Sequence, residues 1–165
     1  MASFLKNLSE YNAHEVPSAA AMTFGIVVSD YNSDITFALL EGCVNTLLLH
    51  GAEEDNIYLQ HVPGSFELPL GARFLYKSKQ PDALICLGCV ITGETKHDDY
   101  INTAVSQAIM QLGLEYNAPF VFGVLTPRTH QQALARAGGK HGNKGVEAAV
   151  TAIKMAHAAR ILNVG

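Results

Sequence analysis

Four apolar runs punctuate the chain, and each leads into a segment with helical spacing, which narrows the available folds more than any other feature. Met22–Ser29 (MTFGIVVS), Asn56–Val62 (NIYLQHV), Asp82–Ile91 (DALICLGCVI) and Pro119–Leu125 (PFVFGVL) read as strands. The first is followed by SDITFALLEGCVNTLLLHG, where Ile35, Leu39, Leu40, Val44, Leu47 and Leu48 recur at helical spacing and Gly51 is a C-cap candidate. ELPLGARFLYKSK forms a shorter second helix, and residues from about His97 to Tyr116 a third, with Ile101, Val105, Ile109 and Leu112 on one face. THQQALARAG and NKGVEAAVTAIKMAHAARIL give two last helices joined by a Gly-rich turn. Strands that are apolar throughout and alternate with helices indicate a parallel sheet covered on both faces. The expected fold is therefore α/β: a three-layer αβα sandwich, flavodoxin-like in arrangement, on a four-stranded parallel sheet. It spans residues 22–165 and follows an irregular polar arm, residues 1–21.

Such sheets bind ligands beyond the carboxyl ends of their strands. That rule selects four loops before any motif is weighed: DYNSD, PGSFE, TGETKH and TPRTH.

Composition removes several function classes. A chain of 165 residues with 48% apolar and 16% charged residues suits one globular domain. A net charge of −4 provides no basic field, so nucleic acid is not an expected partner. No apolar run reaches the ~20 residues that span a bilayer. MASFLKNLSEYNAHEVPSAA lacks the pattern of a signal peptide, so a cytoplasmic location is expected. The three cysteines, Cys43, Cys86 and Cys89, are too few and odd in number for a disulfide framework. Cys86-Leu-Gly-Cys89 has redox-motif spacing, but both residues lie inside a strand, where side chains three apart point to opposite faces. With no second pair to complete a zinc site, both read as small core residues, and no metal is expected.

In TGETKHDD the chain leaves a strand and enters a helix, exposing backbone N–H groups and a helix dipole that favour an anion such as phosphate. The alternative is a turn in which Thr95 or Glu94 merely caps the helix. His97 falls in the first helical turn and suits proton transfer near neutrality. Asp98 and Asp99 either orient its imidazole or favour the dipole. In VPGSFELPL, Pro63-Gly64 forces a turn from which Ser65, Phe66 and Glu67 emerge with backbone amides suited to a planar heterocycle. Glu67 could accept hydrogen bonds from a polyol, or be an ordinary first-turn acid. Tyr31 could stack on a ring or serve as an apolar lid. RAGGKHGNKG fails the Walker pattern, since it follows a helix and Lys144 precedes Gly145, but it presents Arg136 at a helix end, where a guanidinium can grip phosphate or stand as a surface cation. Together these residues imply acid–base chemistry on a phosphorylated small molecule beside a planar ring, without a metal or cofactor.

VVSDYNSDIT, VPGSFELPL, LGCVITGETKHDDYI, FGVLT and RAGGKHGNKGVEAA occur in an order and spacing that resemble the 6,7-dimethyl-8-ribityllumazine synthase family of riboflavin biosynthesis, from about Phe24 to the C-terminus. The resemblance implies a transferase that condenses 5-amino-6-(D-ribitylamino)uracil with 3,4-dihydroxy-2-butanone 4-phosphate, through an imine, phosphate loss and ring closure. It implies that Tyr31 stacks on the pyrimidine and that Ser65, Phe66, Glu67, Cys89, Val90, Ile91 and Phe122 hold the ribitylaminouracil. Glu94, Thr95 and Arg136 would hold phosphate, and His97 would carry protons, with Lys140, Lys144 and Asp98 as accessory residues. It also implies sites shared between subunits of a homopentamer, with Phe122 and Arg136 from the adjacent chain. AGGKHGNKG lacks an insertion common in members that stop at pentamers, so a shell of twelve pentamers is expected, leaving open whether riboflavin synthase is its partner inside. The chain departs from the family pattern at Tyr31 (usually Phe), Thr92 (often Arg) and Asp98 (often aromatic). The competing readings are a flavin-binding module without catalysis and a shell protein with a vestigial site.

Overall fold

In the computed structural model, residues 7–164 are described. Strands β1 (Phe24–Ser29), β2 (Ile57–Val62), β3 (Ala83–Cys89) and β4 (Phe120–Leu125) form one sheet in the order β2-β1-β3-β4, all neighbours parallel. Helices α1 (Ser33–Leu49), α2 (Leu68–Lys79), α3 (His97–Tyr116), α4 (His130–Arg136) and α5 (Lys144–Leu162) supply the crossovers and outer layers. The architecture is the expected three-layer sandwich, and the strand and helix boundaries fall within a few residues of the sequence reading.

Alternation within the strands builds two separate cores. Phe24, Ile26, Val28, Ile85 and Leu87 face α1 and α5, where Ile35, Leu39, Leu47, Ala149 and Ile153 meet them. Val27, Leu84 and Cys86 face α2 and α3, packing on Leu68, Ala72, Val105 and Ile109. Cys86 and Cys89 fall in different cores, so the C-x-x-C pair diverges as strand geometry requires. Ala19, within the expected arm, is fully buried against the first core.

Two local features differ from the sequence reading. α1 ends at His50 as C-cap, and Gly51, with φ 99°, is the residue after it: Gly51 N donates to Leu48 O and Ala52 N to Leu47 O, both at 3.0 Å. The Gly-rich link before α5 is a small antiparallel hairpin, β5 (Ala137–Gly139) and β6 (Gly142–Asn143), rather than a plain turn.

Candidate active site

The four strand exits are joined in two pairs by backbone hydrogen bonds. Asp30 N donates to Val62 O (2.8 Å) and Tyr31 N to Pro63 O (3.1 Å), joining the β1 and β2 exits. Val90 N donates to Leu125 O (2.9 Å) and Thr92 N to Pro127 O (3.0 Å), joining those of β3 and β4. Tyr31, the segment Ser65–Glu67 and the segment Cys89–Ile91 therefore project from three adjacent strands. Tyr31 is 71% exposed and Phe66 60% exposed, so two aromatic faces stand open at this edge.

Ser65–Glu67 forms a single 3-10 turn between β2 and α2. It sits so close to β3 that only a glycine fits at position 88, where a Cβ would lie 2.6 Å from Ser65 Oγ. The Ser65 hydroxyl is buried and has no hydrogen-bond partner among the described residues. Glu67 is exposed at the end of the turn.

α3 starts at His97 with Lys96 as its N-cap, and no side chain caps it. Thr95 Oγ1 accepts a long hydrogen bond from His97 N, at 3.4 Å, so the turn ties the helix start only weakly through its own side chain. Asp98 and Asp99 occupy the first turn, where the dipole favours them, but neither hydrogen-bonds the His97 imidazole among the described residues. The imidazole is exposed, as are Glu94 and Thr95.

The remaining expected residues lie apart. Phe122, on the edge strand β4, helps line a cavity of about 580 Å³ with Met110, Leu114, Lys144 and Met155. Arg136 and Lys140 line another, of about 780 Å³, with Thr126, Pro127 and Gln132. Neither cavity is lined by Tyr31, Ser65, Glu67 or His97. Arg136 is not a free surface cation: it donates from Nη1 to His141 O (2.7 Å) and from Nη2 to Glu147. Lys144 Nζ lies 3.7 Å from the same Glu147 carboxylate.

Burial pushes the Cys86 and Cys89 thiols up to about 12, with the Asp34 carboxylate adding to the rise at Cys89. Both stay protonated near neutrality, which removes a thiolate from the chemistry. Among the described residues no group of three or more His, Cys, Asp or Glu is arranged to hold a metal ion, and no helix is long and apolar enough to cross a membrane.

Several structural partners were not legible in the sequence. His61 Nδ1 meets Asp30 Oδ1 at 2.7 Å, and His130 Nε2 meets Asp34 Oδ2 at 2.6 Å, on either side of Tyr31. Asn32 donates from Nδ2 to Cys89 O at 2.9 Å. These pairs join positions 31, 96 and 57 residues apart, so only the placement of strand ends reveals them.

A family model described as 6,7-dimethyl-8-ribityllumazine synthase matches residues 21–160. Proteins named 6,7-dimethyl-8-ribityllumazine synthase are similar throughout. That of Parabacteroides distasonis is 54% identical over 155 residues, covering 94% of this chain and 97% of its own. That of Porphyromonas gingivalis is 50% identical over 161 residues, covering 98% and 100%. That of Flavobacterium psychrophilum is 44% identical over all 165 residues of this chain and 87% of its own. The matched span takes in every strand of the sheet and all four exits, and the chain belongs to the 6,7-dimethyl-8-ribityllumazine synthase family.

Proposed function

We propose that the chain's task in riboflavin biosynthesis, condensing 5-amino-6-(D-ribitylamino)uracil with 3,4-dihydroxy-2-butanone 4-phosphate, is divided among the strand exits. The observation that carries this is the alignment of Tyr31, Ser65–Glu67 and Cys89–Ile91 on adjacent exits, beside a helix whose N-cap residue, Lys96, makes no capping bond. Tyr31 stacks on the pyrimidine. Ser65, Phe66, Cys89, Val90 and Ile91 meet the ring edge mainly through backbone groups, and Glu67 accepts from ribityl hydroxyls. Phosphate sits at the α3 N-terminus by Glu94 and Thr95, drawn by the free N–H groups and dipole, with Arg136 as the fork-shaped cation opposite.

The 5-amino nitrogen adds to the ketone carbonyl, and His97 donates the proton with which the hydroxyl leaves as water, giving an imine. His97 then withdraws a proton from the neighbouring carbon, and the electron pair expels phosphate, whose charge the α3 amides and Arg136 receive. The enol left behind takes a proton at its terminal carbon and becomes a ketone; the ribitylamino nitrogen adds to that carbonyl, and a second loss of water closes the ring. Asp98, Lys140 and Lys144 tune charge around these steps. No covalent enzyme intermediate is required.

The working unit in this reading is a homopentamer whose sites lie between subunits, Phe122 and Arg136 coming from the neighbour. The separation of those two residues from the other exits supports it, as do exposed Met110, Leu114, Phe122 and Met155 along the β4 edge. Twelve such pentamers would close a shell in the cytoplasm, able to house riboflavin synthase. Following lumazine absorbance with both substrates tests the activity. A protein that binds flavin yet forms no lumazine would overturn it.

A further inference from the structure

Four described residues other than glycine have left-handed backbones: Asn32, Gln80, Asn117 and Asn163. Three of them are C-caps, of α2, α3 and α5, where that conformation is routine. Asn32 alone stands at a helix start, with φ 58° and ψ 48°, where an N-cap is ordinarily extended. Its side chain also forgoes the capping bond that asparagine normally makes there. The amide is turned away from α1, and Nδ2 donates to Cys89 O at 2.9 Å.

That bond falls where the sheet divides. The β1–β3 ladder ends at Val28 and Leu87, whereas β1 stays paired with β2 through Ser29–Val62, and β3 with β4 through Cys89–Leu125. Beyond the division the Ser29 carbonyl is taken by Thr36 Oγ1, at 2.7 Å. Among the described residues, Asn32 to Cys89 is the one hydrogen bond that crosses from the β1 exit to the β3 exit. Tyr31 precedes Asn32 directly, and Val90 and Ile91 follow Cys89 directly. The amide thus spans the mouth between the two segments.

We propose that Asn32 is a positioning residue for the pyrimidine: its amide sets the spacing between the Tyr31 ring and the Cys89–Ile91 segment. This rests on assigning Tyr31 and Cys89–Ile91 to the ribitylaminouracil. The left-handed backbone is what aims the side chain across the division, so only residues that tolerate that conformation and carry a donor fit here.

The test compares Asn32→Gly and Asn32→Asp, both tolerant of a left-handed backbone, with wild type. Glycine removes the amide, and aspartate sets an acceptor against the Cys89 carbonyl. Each should raise KM for the ribitylaminouracil about tenfold, the worth of one part-buried hydrogen bond. KM for the butanone phosphate should stay within about twofold and the melting temperature should fall by no more than about 2–4 °C. Wild-type kinetics in Asn32→Gly would overturn the proposal, as would a joint rise in both KM values with a matching loss of thermal stability. Tyr31→Ala run alongside separates the underlying assignment: an unchanged pyrimidine KM there removes the stacking role itself, whatever the Asn32 variants do.

Discussion

Nδ1 of His61 lies 2.7 Å from Oδ1 of Asp30, tying the residue before Tyr31 to the penultimate residue of β2. Both side chains are about half exposed, at 45% and 52%, so the pair is screened by solvent. Asp30→Asn should therefore lower stability by less than ~1 kcal/mol in urea denaturation, and the difference should shrink in about 1 M salt. A larger, salt-insensitive loss would mean that Asp30 holds the exit by some other contact.

In the proposed reaction His97 is the proton carrier, and no carboxylate among the described residues hydrogen-bonds its imidazole. His97→Ala should lower kcat by roughly 100- to 10,000-fold, leaving pyrimidine affinity little changed. Single-turnover lumazine formation reads this directly, and a variant as fast as wild type would remove the assignment.

Arg136 is held in a fixed orientation by His141 O and Glu147. Arg136→Ala should raise KM for the butanone phosphate by about 10- to 100-fold and weaken inhibition by inorganic phosphate. Arg136→Lys should restore only part of this, since an ammonium cannot reproduce the fork. Equal rescue by lysine would show that charge alone matters there.

Gly88→Ala would set a methyl group 2.6 Å from Ser65 Oγ and 2.9 Å from Leu68 Cδ1. Displacing the 3-10 turn should cost about 1–3 kcal/mol and raise the pyrimidine KM together with it. Thermal unfolding and kinetics on one preparation would check whether the two losses coincide.

The buried thiols make stability depend on alkaline pH. Burial raises Cys86 from 9.0 to about 12. The folded state thus keeps a proton that the unfolded chain releases above about pH 9, so this contribution is complete below pH 9 and is lost as pH rises toward 12. Cys86→Ala should flatten the alkaline fall in stability. In the native protein at about pH 8, a thiol reagent should label none of the three buried cysteines.

Much of the fold was legible because it is written in short-range pattern. The bounds of α3, His97–Tyr116, agreed because apolar spacing and first-turn acids both mark it. The hairpin Ala137–Asn143 did not register because strands of three and two residues carry no periodicity. The identities of Tyr31, Glu67 and His97 stood out from their positions after strands. What they touch did not: Asp30–His61, Asp34–His130 and Arg136–Glu147 depend on which strands are neighbours and on where α5 begins. Nothing in the sequence marks Asn32, because a left-handed φ leaves no trace in a single sequence.

Within each pair of exits, β1 with β2 and β3 with β4, bonds from Asp30, Tyr31, Val90 and Thr92 to Val62, Pro63, Leu125 and Pro127 run between main-chain atoms. A frame of that kind takes no notice of which side chains it carries. Substitutions at Tyr31, which gives this frame only its main-chain N–H, can therefore redirect what the cleft accepts while the paired exits keep their shape.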